Sequence, residues 1–177
     1  TNVFMYWNVI QTKKNYMKKI VLAYSGGLDT SYCLKKLSNE GNEVHAVNIN
    51  TGGFTIIEIE KMKEKAFKLG AHSFISINSV YTFYEKIIKF LIYGNVLRNN
   101  TYPLSVSSER TIQAIEIVKY ANEHSASHIA HGSTGAGNDQ VRFDSIFQIL
   151  APNKKIITPI RDSSLSRQNE IDYLLKS

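Results

Sequence analysis

Ile20-Val21-Leu22-Ala23-Tyr24-Ser25-Gly26-Gly27-Leu28-Asp29-Thr30-Ser31 is the stretch whose reading decides the fold. Its apolar start predicts a strand, its paired glycines a turn, and its hydroxyl and carboxylate residues the entry of a helix. Adjacent glycines reach positive φ and bring bare N–H groups close to a ligand. A helix that follows directly presents unpaired amides and the positive end of its dipole to an anion. Ser25, Thr30 and Ser31 add hydroxyl donors to the same pocket. No lysine stands where a GxxxxGK[ST] loop needs one and GxGxxG is absent, so this is a phosphate loop of another kind. A plain Ser/Gly turn between strand and helix would leave Asp29 and the flanking hydroxyls without a purpose.

Outward from this loop, short β-branched runs alternate with longer helical patterns, which predicts βαβ units. Strands are expected at residues 19–24, 43–50, 73–78, 127–131 and 155–158, with helices starting near Thr30, Ile57, Val80, Ser107 and Gln140. The fold class that results is α/β: an open, mainly parallel five-stranded sheet with helices on both faces. In the helix from Ser107, Ile112, Ile115, Val118 and Ala121 recur at three-residue spacing and predict one buried stripe.

The 177 residues suit one domain able to bury a core. Lysine and arginine outnumber the acids to give a formal charge of +6, spread without long blocks, which favours an anionic small molecule. The single cysteine, Cys33, allows neither an internal disulfide nor a cysteine-based zinc cluster and suits a reducing cytoplasm. It stands one helical turn before Leu37, a core position. Residues 1–16 read as a leader or cloning remnant ahead of Met17. Their apolar part, residues 3–10, is too short to span a bilayer, and the lysines follow it, unlike a signal peptide. No membrane partner is expected. The nucleotide-binding domain is expected over residues 17–165, with residues 166–177 opening a second domain.

Ligands of open parallel sheets bind beyond the carboxyl ends of the strands, so the loops there matter most. Asn50-Thr51-Gly52-Gly53 follows the second strand, either as a plain turn or beside an adenine and ribose. His131-Gly132-Ser133-Thr134-Gly135-Ala136-Gly137-Asn138-Asp139-Gln140-Val141-Arg142-Phe143 follows the fourth. Its glycines and polar side chains are hard to explain as packing. His131 ends a strand there as a structural histidine. His45, His72, His124 and His128 stand on separate elements without metal-ligand spacing, so no protein-bound metal site is expected.

Ser25 to Ser31 resembles the SGGxD[ST]S loop of the ATP pyrophosphatases, which cleave ATP between its α and β phosphates. HGSTGAGNDQVRF resembles the HGxTGxGNDQxRF loop that accompanies AYSGGLDTS in the argininosuccinate synthase family. Tyr102-Pro103-Leu104-Ser105-Val106-Ser107-Ser108-Glu109-Arg110 is similar to that family's citrulline loop. It departs from it in reading Ser105-Val106-Ser107 and Glu109-Arg110-Thr111 where many members read Gly-Thr-Ser and Ala-Arg-Pro. The similarity runs from about Met17 to Ser177.

The resemblance implies an adenine nucleotide alpha hydrolase-like, Rossmann-like domain and an AMP-forming citrulline–aspartate ligase of arginine biosynthesis that uses ATP and Mg²⁺. By it, Ala23, Tyr24, Ser25, Gly26, Gly27, Leu28, Asp29, Thr30, Ser31 and Gly132 would bind ATP. Thr134, Asn138 and Asp139 would hold aspartate, and Tyr102, Ser107, Asn138 and Arg142 would hold citrulline. Asp29 is the catalytic candidate, steering Mg²⁺–pyrophosphate; helix N-capping is its plainer role, compatible with the first. The family's enzymes are longer and cytoplasmic, and a homotetramer is implied for the full-length protein. The isolated domain is expected to self-associate. Two other classes are an adenylating enzyme acting on tRNA and a nucleotide-binding module inactive alone. A tRNA thiolase would usually need catalytic cysteines, and a bare binding module would not need the polar run from Asn138 to Arg142.

Overall fold

The computed structural model describes residues 17–163 and 165–176. Its main sheet holds β1 (Lys19–Ala23), β2 (Glu43–Asn50), β3 (Ser73–Asn78), β6 (His128–Ala130) and β7 (Lys155–Ile157). All pairings in it are parallel, in the order β3-β2-β1-β6-β7. The order reverses between β1 and β6, and a crevice opens at such a switch point.

Both faces of the sheet are covered, which is why β1 reads as an unbroken apolar run instead of an alternating one. Ile20 and Leu22 point to one side, where α1 (Leu28–Asn39) contributes Tyr32, Cys33, Leu34 and Leu37, and α2 (Ile56–Lys68) contributes Met62 and Ala66. Val21 points to the other, against Ile117 and Val118 of α4 (Ser105–Glu123) and Phe143 and Phe147 of α5 (Asp139–Leu150). Each such side chain contributes about 1.5–3 kcal/mol when fully buried. Among the described residues no helix is long and apolar enough to cross a membrane.

Several local expectations shift. The buried stripe of α4 runs through Ala114, Ile117, Val118 and Ala121, while Ile115 is only half-buried. A strict three-residue repeat drifts off a 3.6-residue helix, so the apolar face steps by three and four. Gly27, not Asp29, is the N-cap of α1, which leaves Asp29 in the first turn with its carboxylate near the positive end of the helix. α2 starts behind a reciprocal cap: the Thr55 hydroxyl accepts from the Glu58 amide at 3.3 Å and the Glu58 carboxylate accepts from the Thr55 amide at 2.8 Å.

The helix expected at Val80 is α3, an α-turn (Val80–Phe83), a π-turn (Tyr84–Ile88) and a second α-segment (Lys89–Tyr93) in series. It leads to a small antiparallel hairpin, β4 (Leu97–Arg98) and β5 (Tyr102–Pro103), whose turn places Asn99 and Asn100 at φ 54° and 58°. Asparagine tolerates that left-handed conformation better than most side chains.

After the short helix α6 (Pro159–Ser163), residues expected to open a second domain form α7 (Arg167–Lys176), which lies on α1. The Tyr32 and Tyr173 rings meet edge to face at 5.0 Å, and Asn39 donates to the Tyr173 hydroxyl at 3.1 Å.

Three of the histidines expected on separate elements come together, while His128 stands apart beside Ser127. The His45 ring lies 5.4 Å from that of His72 and 6.0 Å from that of His124, centroid to centroid, at the amino-terminal edge of the sheet. Register explains it: His45 of β2 pairs with Ser73 of β3, which brings in His72 just ahead, and the carboxyl end of α4 brings Tyr120 and His124 against His45.

Candidate active site

A cleft of about 790 Å³ opens where the first and second glycine-rich loops leave β1 and β6. The first loop is held from behind by α2. Gly26 sits at φ 74°, and a Cβ there would fall 3.0 Å from the Met62 side chain. Lys65 donates to the Gly26 carbonyl at 2.7 Å, and burial holds its pKa below the usual lysine value. The Ser25 and Thr30 hydroxyls lie 3.2 Å apart at the loop mouth.

The second loop docks onto α1 through Gly132. A Cβ at that position would lie 3.2 Å from backbone atoms of Asp29 and Thr30, so a bare α-carbon permits this approach without displacing the loop. His131 braces the loop. Its Nδ1 accepts the Ser133 amide at 3.2 Å, and its Nε2 faces the Asp144 carboxylate at 2.9 Å. That pattern assigns the proton to Nε2. Burial pushes the imidazole pKa down, against the pull of Asp144. Burial works to raise the Asp144 pKa, but hydrogen bonds from Arg161 and His131 hold it below the usual carboxylate value. The neutral ring is thus a strut between strand and loop.

At the start of α5, Asp139 accepts from Arg110 Nε at 3.1 Å and from Arg142 Nη1 at 2.8 Å. Arg110 also donates to Gln113 at 3.0 Å and to Glu109 at 3.3 Å, and the Thr51 hydroxyl donates to Glu109. This network ties the turn after β2 to the first turns of α4 and α5. The N-terminal turns of α1 and α5 both line the cleft, which gives it two positive dipole ends for anionic groups.

Ala23, Tyr24, Ser25, Gly27, Leu28, Asp29, Thr30, Gly132, Thr134, Asn138, Asp139 and Arg142 all line this one cleft. Gly26 and Ser31 stand behind its wall; Ser31 is fully buried and donates to the Gly26 carbonyl at 3.4 Å. Ser107 is outside the wall too, its hydroxyl donating to the Leu104 carbonyl at 2.9 Å. Tyr102 lies in β5, and its side chain is outside the described residues.

The cleft also holds residues that the sequence reading gave no site role: Asn48, Glu109, Arg110, Gln113 and Arg167. Asn48 is buried in β2, where its amide donates to the Tyr24 carbonyl at 3.2 Å and its oxygen accepts from Ser76 at 2.8 Å. A polar residue flanked by Val47 and Ile49 in the strand interior was the available signal, because a buried group of that kind is retained only when it is bonded.

Glu170 of α7 is 3% exposed and stands beside Asp29. Burial, then the Asp29 charge, push its carboxyl pKa up to about 7.

Comparison with known proteins agrees with this architecture. A family model described as "Arginosuccinate synthase N-terminal HUP domain" matches residues 19–177. The argininosuccinate synthase of Halalkalibacterium halodurans is 40% identical over 160 residues, covering 90% of this chain and 39% of that protein. That of Hyperthermus butylicus is 40% identical over 160 residues, covering 90% and 40%. The chain therefore spans about two fifths of the length of the curated relatives it matches. Among solved structures, that of a predicted subunit of tRNA methyltransferase from Methanocaldococcus jannaschii superposes with a TM-score of 0.55 at 19% identity, covering 89% of this chain and 74% of that one, a likeness of fold alone. With two glycine-rich loops meeting at the switch point of a parallel sheet, the chain belongs to the argininosuccinate synthase family, and residues 19–177 correspond to its N-terminal HUP domain.

Proposed function

We propose that this domain binds ATP and carries the adenylating half of an argininosuccinate synthase, in which citrulline and aspartate are joined with release of AMP and pyrophosphate. The observation that carries the reading is the contact of Gly132 with the first turn of α1, which sets both glycine-rich loops on one cleft. In the reaction the ureido oxygen of citrulline attacks the α-phosphorus of ATP and pyrophosphate leaves; the aspartate amine then displaces AMP. No nucleophile of the protein is needed, so catalysis rests on positioning and on electrostatics.

The chain's own groups suit those tasks. The amides of residues 25–28 and the α1 dipole face the phosphates, with the Ser25 and Thr30 hydroxyls as further donors. Arg142 offers a guanidinium to a substrate carboxylate, Asn138 lies beside both amino-acid positions, and Thr134 and Asp139 face aspartate. Tyr102 of β5 and Ser107 of α4 are assigned to the citrulline side by the family resemblance of residues 102–110. Arg142 is paired with Asp139, so citrulline would compete for that guanidinium.

The Asp29 carboxylate, flanked by hydroxyls at the first glycine loop, fits a hard cation that arrives on phosphate oxygens. Bound Mg²⁺ supplies charge compensation for the leaving pyrophosphate, and Asp29 steers that complex. Cytoplasmic placement and a homotetramer for the longer protein complete the proposal. RNA modification by a thiolate is disfavoured, since Cys33 is buried and burial pushes its thiol pKa up to about 12.

The test is pyrophosphate release from ATP and Mg²⁺, with and without citrulline, in the wild-type chain and in Asp29→Ala. Citrulline-dependent release is expected in the wild type, and none in a folded Asp29→Ala. Equal activity in the variant would remove Asp29 from the mechanism. Binding of ATP without release would assign adenylation to the longer protein.

A further inference from the structure

At the end of the sheet opposite the cleft, we infer that Glu43, His45 and His72 form a binding site for a divalent transition-metal cation, with Zn²⁺ the best-suited ion. One carboxylate oxygen and one nitrogen from each imidazole lie within 4.8 Å of one another. Glu43 Oε1 is 2.8 Å from His45 Nε2 and 3.8 Å from His72 Nε2. Bonds of ~2.1 Å in a tetrahedral shell put neighbouring donors ~3.4 Å apart, between those two spacings. Two imidazoles and a carboxylate are donors that favour zinc and its neighbours over magnesium or calcium.

A second observation points the same way. His45 is 6% exposed, and its Nδ1 lies 3.1 Å from the Tyr120 hydroxyl. Nε2 donates to Glu43, but a hydroxyl can donate or accept, so the ring can carry its proton on Nδ1 instead and give it to Tyr120, which frees the Nε2 lone pair for an ion and supplies the outer hydrogen bond usual for a metal-ligating histidine. Tyr120 is itself held by a stacked contact with His124 at 3.8 Å. The competing group is Lys19, 3.3 Å from the same Glu43 oxygen; its side chain is partly exposed and exchanges that pair for water at little cost. With three protein donors the site is of the open kind, and water or an outside ligand takes the fourth position next to the exposed His72. The ion would tie β2 to the turn before β3, remote from the ATP cleft, so this inference stands independently of the proposed reaction.

The test is titration of the chelator-treated chain with ZnCl₂ by calorimetry, with Co²⁺ absorption as a second readout. One ion per chain is expected, with a rise in Tm and a ligand-field spectrum from Co²⁺. His72→Ala removes an exposed donor and should abolish binding without unfolding the chain. Tyr120→Phe keeps the ring and should weaken binding roughly ten-fold or more. Absence of stoichiometric binding, or binding undiminished in both variants, overturns the inference.

Discussion

A Cβ on Gly132 would lie 3.2 Å from backbone atoms of Asp29 and Thr30 and from the Thr30 methyl, so relieving the strain of Gly132→Ala requires the loop to move off the first turn of α1. The substitution is expected to cost about 1–3 kcal/mol, the range for overpacking a close contact, and to weaken ATP binding by parting the two loops. Chemical denaturation and nucleotide titration measure both. Gly137→Ala serves as the stability control, because nothing lies within 4 Å of its Cβ position. Equal destabilisation at both positions would refute the close-approach argument. Cys33 gives a second prediction from a single side chain. Its burial and its raised thiol pKa leave almost no thiolate at mildly alkaline pH. Mass spectrometry should find the native chain unmodified by an alkylating reagent and the denatured chain fully labelled; rapid native labelling would contradict the burial.

The contact of α7 with α1 is where an element's packing becomes a pH dependence. An ordinary glutamate titrates near 4.5, whereas Glu170 in the fold is pushed up to about 7, by burial first and by Asp29 second, with Arg167 pulling it down. Between those values the folded state holds a proton that the unfolded state lacks. The stability Glu170 contributes is therefore complete below about 4.5 and is lost as pH rises through about 7. The Tm of the wild type should fall relative to that of Glu170→Gln across this window. Parallel profiles would show that the carboxyl does not titrate there. How far such elements could be read in advance follows from the range of the interactions that fix them. β2 and β3 end where their apolar pattern ends, and the glycine loop after β1 declares itself in its own residues. The β4–β5 hairpin rests on two-residue strands too short to carry a pattern. The Asp139–Arg110 pair joins helices far apart in sequence, and the histidine cluster depends on the register between β2 and β3. Loop chemistry was legible because it is local; the network across the cleft mouth and the cluster beneath the sheet are products of assembly.

Across the whole molecule, polar and apolar surface are unevenly shared. The cleft side carries charged and hydroxyl groups, while α3 presents Tyr81, Phe90, Ile92 and Tyr93 to solvent, the last 80% exposed. Ile56 and Ile57 at the start of α2 and Ile149 on α5 are also exposed. Exposed apolar side chains that gather on one helix, as on α3, mark a contact face more often than a solvent face. A chain that spans about two fifths of its relatives' length offers a simple origin for it, since such faces suit contacts with the remainder of the longer proteins. In a preparation of residues 1–177 by themselves, copies of this chain are the nearest apolar partners, and the net charge of +6 resists their association only over the range that salt leaves unscreened. The chain is therefore expected to self-associate with rising concentration, more strongly in high salt, as read by sedimentation or by sizing with light scattering. Phe90→Lys combined with Tyr93→Lys should shift the distribution toward monomer while leaving Tm nearly unchanged, because neither ring is part of the core. A wild-type chain that stays monomeric at every concentration and salt would mean that these rings are too dispersed to form a cohesive face, and α3 would then be an ordinary solvent-facing helix.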